Sequence, residues 1–334
     1  MKLGTIRIDG VPTVIARVDG DTAVVIDQFD WMEDLILAGD SGLTAAHNAI
    51  EAAKGGTAAT IDVSNADWMA PNPKASKILG CAVNNNGLNS VAHRPMKSPM
   101  FFTKGRSALT GHGKTIDILP RHGRLIPEPE PVCVFGKDAK NVEPDQILDY
   151  IFGYTITNDV TASGIKFGED SIALKQKPEL VFPHHMEWRH RFGEEDTYVY
   201  FIYHSRSKAA DTFSAMGPWL TTKDEVPNPN SLRVQGIIDG EVYADDSTAN
   251  YYFPVEKVLS EASTWFTMEA GDCVHCGTAV KGTEKFPKGN LGTNLVEYNG
   301  KTTDVEIEIL GTLSNVINCT EKGSLSDSAT SRKK

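Results

Sequence analysis

Two carboxylates stand at alternate positions just ahead of an apolar run: Glu128 and Glu130, followed by Val132, Cys133, Val134 and Phe135. In extended chain, residues i and i+2 share a face about 7 Å apart, a separation at which both can ligate one hard cation. The alternative is a solvated acidic strand edge whose prolines, Pro129 and Pro131, block sheet extension. Further along, the Gly153–Ala162 stretch embeds a single Asp159 among apolar and hydroxyl residues. A buried lone carboxylate is costly unless it is paired, hydrogen-bonded or metal-bound. Lys208, ahead of Asp211, Thr212 and Phe213 and then Gly217, Pro218 and Trp219, brings a cation into a similarly apolar setting. The Gly271–Ala279 stretch reads as a β-strand ending in a tight turn that carries the hydroxyl of Thr278.

Two other patterns imitate chemistry. The Ala108–Thr115 stretch matches a relaxed phosphate-loop pattern, but such a loop must open a helix, and the alternating Ile116–Leu119 run ends at Pro120. A plain loop is expected. Cys273 and Cys276 have metal-ligand or redox spacing; in a strand, positions three apart face opposite sides, so the two read as small core residues.

The elements that must position these groups are mostly strands. Three alternating runs between residues 4 and 27 are separated by Asp9-Gly10 and Asp19-Gly20, pairs that supply the positive φ of hairpin turns. From Trp31 to Lys54, apolar residues recur at helical spacing with a break at Gly39–Gly42, which predicts two short helices. Residues 1–70 therefore read as a small α+β cap, joined by a proline-containing linker at Pro71–Lys74. From Ile78 onward short β-type runs dominate, with helices expected at Pro144–Tyr150 and Val255–Ser263. The polar stretch 321–334 reads as a disordered tail. The fold class is α+β, mainly β.

Composition narrows the function. Hydrophobic residues at 40% and charged residues at 23% describe a folding globular chain. Its net charge of −11 repels phosphate backbones and anionic bilayers, so neither nucleic acid nor membrane is an expected partner. The five scattered cysteines read as reduced thiols. With no signal-peptide core at the N-terminus and no run of ~18 apolar residues, the expected setting is the cytoplasm.

Taken together and in this order, Glu128 and Glu130, the Asn158-Asp159 stretch, the Lys208–Phe213 segment with its Gly217–Trp219 sequel, and the Gly271–Thr278 turn closely resemble the fumarylacetoacetate hydrolase family. The resemblance covers roughly residues 75–315, within a catalytic domain read as 75–318. It implies a mixed β-roll or β-sandwich catalytic domain, a homodimer, and a Mg²⁺ or Mn²⁺ site made by Glu128, Glu130 and Asp159. It also implies small anionic substrates of the 2-oxo acid or acylpyruvate type. Three carboxylates leave part of an octahedral shell for substrate oxygens, and the metal as Lewis acid stabilises an enolate. Lys208 is then expected on the developing oxyanion or the substrate carboxylate, and Thr278 as a donor to that carboxylate. Asp211 is placed on the substrate side; the alternative is a structural ion pair between Lys208 and Asp211.

The sequence departs from the family in two places. Where hydrolytic members carry a lid with a water-activating His and Glu, this chain has Asn84, Asn85, Asn86 and, at the histidine position, Leu88. His93 is the nearest substitute. Ser163 replaces a usual Arg. The connection from Asp159 to Lys208 is also long, with an insertion at about 166–204 that holds His184, His185, Arg189, His190 and Arg191. This segment is read as a lid bringing His185 and His190 to the substrate, or else as a solvated insertion packing on the dimer partner. The expected activity is metal-dependent hydrolysis of a C–C bond. Decarboxylation, isomerisation or dehydration through the same enolate is the alternative within enzymes, and a catalytically inactive metabolite-binding protein the alternative outside them.

Overall fold

A computed structural model describes residues 1–92, 95–175 and 198–322. The N-terminal meander forms as its turns require: strands Lys2–Ile8, Val11–Asp19 and Thr22–Val25 pair antiparallel. Its first turn is made by Asp9 and Gly10 at φ of 51° and 78°. Helices Met32–Leu37 and Asp40–Lys54 follow and bury Met32, Leu35, Ile36, Ala46 and Ile50.

Backbone hydrogen bonding runs across the boundary read at residue 70. Strand Lys2–Ile8 pairs with Leu220–Thr222, which pairs with Ile151–Asp159. From there the sheet continues through Pro129–Phe135, Cys273–His275, Ile78–Ala82 and Met100–Lys104. A second, five-stranded sheet holds Glu241–Ser247, Arg233–Ile238, Thr302–Ile307, Gly311–Cys319 and Thr115–Ile118, in that order. This is the mainly β, mixed-sheet architecture expected, with the two sheets packed over one core.

Alternation sorts each strand of the large sheet between two environments. Cys133, Phe135, Tyr154, Ile156 and Val274 point into the core shared with Val234, Val305, Leu313 and Ile317 of the second sheet. The helix Val255–Trp265 closes that core with Val258, Leu259 and Ala262. Val132, Val134, Ile78 and Cys273 point the other way, onto the N-terminal helices. A strand covered on both faces loses the one-sided polar alternation of a surface strand, which is why all seven residues of Pro129–Phe135 are buried. The end of this second face that carries Glu128, Glu130 and Asp159 meets other segments.

Smaller expectations resolve case by case. The phosphate-loop imitation becomes strands Leu109–Thr110 and Thr115–Ile118 with a turn between, opening no helix. The helix expected at Pro144–Tyr150 is a 3₁₀ turn over Ile147–Tyr150. The sulfurs of Cys273 and Cys276 part as predicted: Cys273 meets Asn72, and the Cys276 Sγ lies 3.4 Å from that of Cys133. The described ends of the insertion, Ser171–Lys175 and Tyr198–Ile202, form an antiparallel ribbon. No helix among the described residues is long and apolar enough to cross a membrane.

Candidate metal centre

Register gathers the site on one face of the large sheet. Glu130 is opposite Thr157, and the Asp159 amide donates to the Glu128 carbonyl, so Glu128, Glu130 and Asp159 project together. Asn158 fixes Glu128 from behind, its Oδ1 accepting from the Glu128 amide at 3.1 Å. Across the sheet, Val132 is in register with His275, and His275 with Gly80. This puts the imidazole on the same face, two positions along from Glu130. Gly80 in turn opposes Phe102, whose ring crosses the space a side chain at Gly80 would fill: a Cβ there would lie 2.1 Å from Cζ. The same strand presents Lys104 two residues on.

The charges interlock. Lys208 donates to Glu128 Oε2 at 2.5 Å and to Asp159 Oδ2 at 2.8 Å. Lys104 is ion-paired with the other oxygen of Asp159 and donates to the Phe213 carbonyl at 2.5 Å. Thr161 adds a hydroxyl donor to Glu128 Oε1 at 3.0 Å. The local geometry of the Lys208–Phe213 segment serves this arrangement. Thr212 sits at a positive φ of 67° with its hydroxyl accepting from the Asp117 amide, and the adjoining Phe213 carbonyl meets Lys104.

Two lysines neutralise two of the three carboxylates, and Glu130 is left over. Its donor is the Gly277 amide, at 3.3 Å. Burial raises the Glu130 carboxyl well above its ordinary range, and the charges of Asp159 and Glu128 add to this. Burial acts in the same direction on Asp159 but is outweighed by Lys104 and Lys208, which hold it ionised below the usual range. For Lys208, burial alone would favour the neutral amine, yet Asp159 and Glu128 raise it above its ordinary value. Lys104 is shifted downward, because burial exceeds the attraction of Asp159. His275 is fully buried, neither ring nitrogen has a hydrogen-bond partner among the described residues, and burial lowers it to about 3.

One ligand atom from each of Glu130, Asp159 and His275 lies within 4.8 Å of the others. A leftover buried carboxylate, an unpartnered neutral imidazole and a net charge of minus one from five ionisable side chains suit a divalent cation. The donor set therefore fits such an ion.

The residues singled out from sequence separate into three groups. Glu128, Glu130, Asp159 and Lys208 come together as one cluster. The ion pairs of Lys208 are with Glu128 and Asp159. The alternative pairing with Asp211 is not the one formed, and Asp211 is exposed. Thr278 follows the Gly277 amide that touches Glu130; its hydroxyl donates to the Ala279 carbonyl at 3.3 Å and accepts from Asn290 at 3.4 Å. His93, His184, His185 and His190 lie outside the described residues.

Sequence reasoning passed over Lys104, His275 and His204. Lys104 was one lysine after an aromatic run, and His275 was hidden inside the cysteine pair dismissed as core. His204 ends the insertion, is half-buried, and has its ring 6.4 Å from that of Phe102. Burial, Lys166 and Lys208 hold it below its usual range. The lid segment also takes a defined form. Asn84 donates to the carbonyls of Phe253 and Cys276, and Asn85 to Asp246 and the Thr278 carbonyl. Ser163 donates to the Arg124 carbonyl.

A two-sheet mixed β fold thus gathers three carboxylates and two lysines at one sheet face, and comparison gives its family. Residues 77–318 match the model of the fumarylacetoacetate (FAA) hydrolase C-terminal domain. The chain is 30% identical over 264 residues to the oxaloacetate tautomerase YisK of Bacillus subtilis, covering 76% of this chain and 74% of that one. It is 27% identical over 241 residues to a maleylpyruvate hydrolase of Aquipseudomonas alcaligenes, covering 72% and 67%. A maleylpyruvate hydrolase from Sphingobium sp. SYK-6, solved in complex with manganese(II) and pyruvate, superposes with a TM-score of 0.68 at 21% identity, covering 96% of this chain and 99% of that one. The protein belongs to the fumarylacetoacetate hydrolase family, whose relatives here include a hydrolase and a tautomerase.

Proposed function

We propose that this protein is a divalent-cation-dependent enzyme that stabilises the enolate of a small 2-oxo acid and hydrolyses a C–C bond of an acylpyruvate-type substrate. The observation that carries this is the buried cluster of Glu128, Glu130 and Asp159, of which the two lysines compensate only two charges. The manganese and pyruvate bound by a structural relative support it.

A cation held by Glu128, Glu130 and Asp159, Mg²⁺ or Mn²⁺, supplies Lewis-acid charge for adjacent keto and carboxylate oxygens. The protein's own groups do the rest. Lys208, with its Nζ 4.6 Å from the Phe102 ring, carries positive charge at the edge of the cluster to the oxygen on which negative charge develops. Lys104 is fully buried against Asp159 and keeps that carboxylate ionised. Phe102 walls one side and limits water near the reacting carbon. His204, neutral at pH 7, can take a proton at Nδ1, which has no partner among the described residues.

A second reading, keto–enol isomerisation, is favoured by one observation: Leu88 replaces the lid histidine, and the Asn84 and Asn85 side chains are committed to structural hydrogen bonds. The 30% identical tautomerase points the same way. Acylpyruvates and 2-oxo acids, oxaloacetate among them, are to be screened by ultraviolet absorbance with and without EDTA, with products weighed by mass spectrometry. Two smaller acids establish hydrolysis, and an absorbance change at constant mass establishes isomerisation. Absence of EDTA-sensitive turnover on every substrate refutes both.

A further inference from the structure

His275 is the most anomalous side chain of the sheet. It is fully buried, yet neither ring nitrogen finds a partner among the described residues. A position that needed only volume would be filled at lower cost by Leu or Met, because a buried polar group without a hydrogen bond is destabilising. Its register next to Val132 and Gly80 aims the ring along the face that carries Glu130 and Asp159, to within 4.8 Å of their ligand atoms. Gly80, in register with His275, carries no side chain, and the Phe102 ring fills the space one would take.

We propose that His275 gives an imidazole nitrogen to the same divalent cation as Glu130 and Asp159. The centre is then a mixed nitrogen–oxygen site that prefers a first-row transition ion such as Mn²⁺ to Mg²⁺. This rests on the metal-dependent reading above and departs from the oxygen-only shell that the sequence suggested. Its chemical basis is that Mg²⁺ is bound almost wholly through oxygen, whereas an imidazole nitrogen adds affinity for the first-row transition ions, least for Mn²⁺ and more along the series towards Cu²⁺.

The test uses the full chain, stripped of metal and reloaded with one equivalent of Mn²⁺. Electron spin-echo modulation reads nitrogen bound directly to manganese, in natural-abundance and in ¹⁵N-histidine-labelled protein. Wild type is expected to show histidine nitrogen coupling that is lost in His275→Leu and His275→Gln and retained in His204→Asn. In competition titrations the Mn²⁺ over Mg²⁺ preference should fall about tenfold or more on losing the ligand. The wild-type spectrum needs no variant, so poor folding of His275→Leu leaves the test intact. Manganese bound to wild type with no nitrogen coupling overturns the inference and leaves the carboxylate centre standing. Failure of wild type to bind Mn²⁺ any better than Glu130→Gln overturns both.

Discussion

Lys208→Met removes the ammonium and keeps the aliphatic stem, so it isolates charge from packing. Lys208 bonds Glu128 at 2.5 Å and Asp159 at 2.8 Å, with its own side chain 6% exposed. Losing one partner of a buried ion pair typically costs about 3–5 kcal/mol. The lower end applies, because Lys104 still holds Asp159 and Thr161 still donates to Glu128. At roughly 2 cal/mol/K of unfolding entropy per residue, a cooperative chain of this length loses about 4 °C of Tm for 3 kcal/mol. The cluster of Lys104, Lys208, Glu128, Glu130 and Asp159 then moves from a net charge of minus one to minus two, so Mn²⁺ should bind at least as tightly and restore more Tm than it adds to wild type. Turnover should nonetheless fall about 10²–10³-fold, the usual cost of removing a group that meets developing negative charge. Scanning fluorimetry with and without Mn²⁺, paired with the ultraviolet assay, measures all three quantities. A variant with wild-type kcat, or with weaker metal binding and an unchanged metal-free Tm, refutes the account of Lys208.

Three further outcomes are expected. Glu130→Gln should abolish metal binding while stabilising the metal-free protein at neutral pH; the raised Glu130 carboxyl contributes stability that is full at low pH and lost as pH rises, so the variant's Tm should vary less with pH. Gly80→Ala drives a methyl into the Phe102 ring and should cost about 1–3 kcal/mol, with Phe102→Leu relieving it in the double variant, as denaturant midpoints would show. Glu33 accepts from the Lys74 amide and is pushed by burial from 4.5 up to about 7. The folded state therefore holds this proton more tightly than the unfolded one, and stability should decline between pH 4.5 and pH 7 by at most about 3 kcal/mol, a slope that Glu33→Gln flattens in urea titrations at stepped pH.

The readable parts of this protein were those whose physics is local. Asp-Gly turns place the N-terminal meander, helical periodicity places both cap helices, and the i, i+2 spacing of Glu128 and Glu130 puts two carboxylates on one face whatever the sheet around them. An isolated Asp159 in an apolar strand signals by its own cost that something must compensate it. The order of these motifs along the chain was enough to name the family. The 3₁₀ turn at Ile147–Tyr150 was missed as a helix because a segment that short carries too few turns for periodicity to separate the two.

What only the tertiary structure decided is which distant residues compensate that acidic face. Lys104 and His275 lie on strands joined to Pro129–Phe135 through pairings with remote segments, one of them parallel. No short-range pattern encodes such a register. A one-residue slip in either strand would send lysine and imidazole to the opposite face. Lys208 chose Glu128 and Asp159 over its sequence neighbour Asp211 because the former pair is buried, where an ion pair is screened least, and Asp211 is in water. Residue type and spacing determined that the acidic face needed compensating and where its carboxylates stand; the closing of the sheet determined what surrounds them, because burial, not sequence distance, sets the strength of a charge.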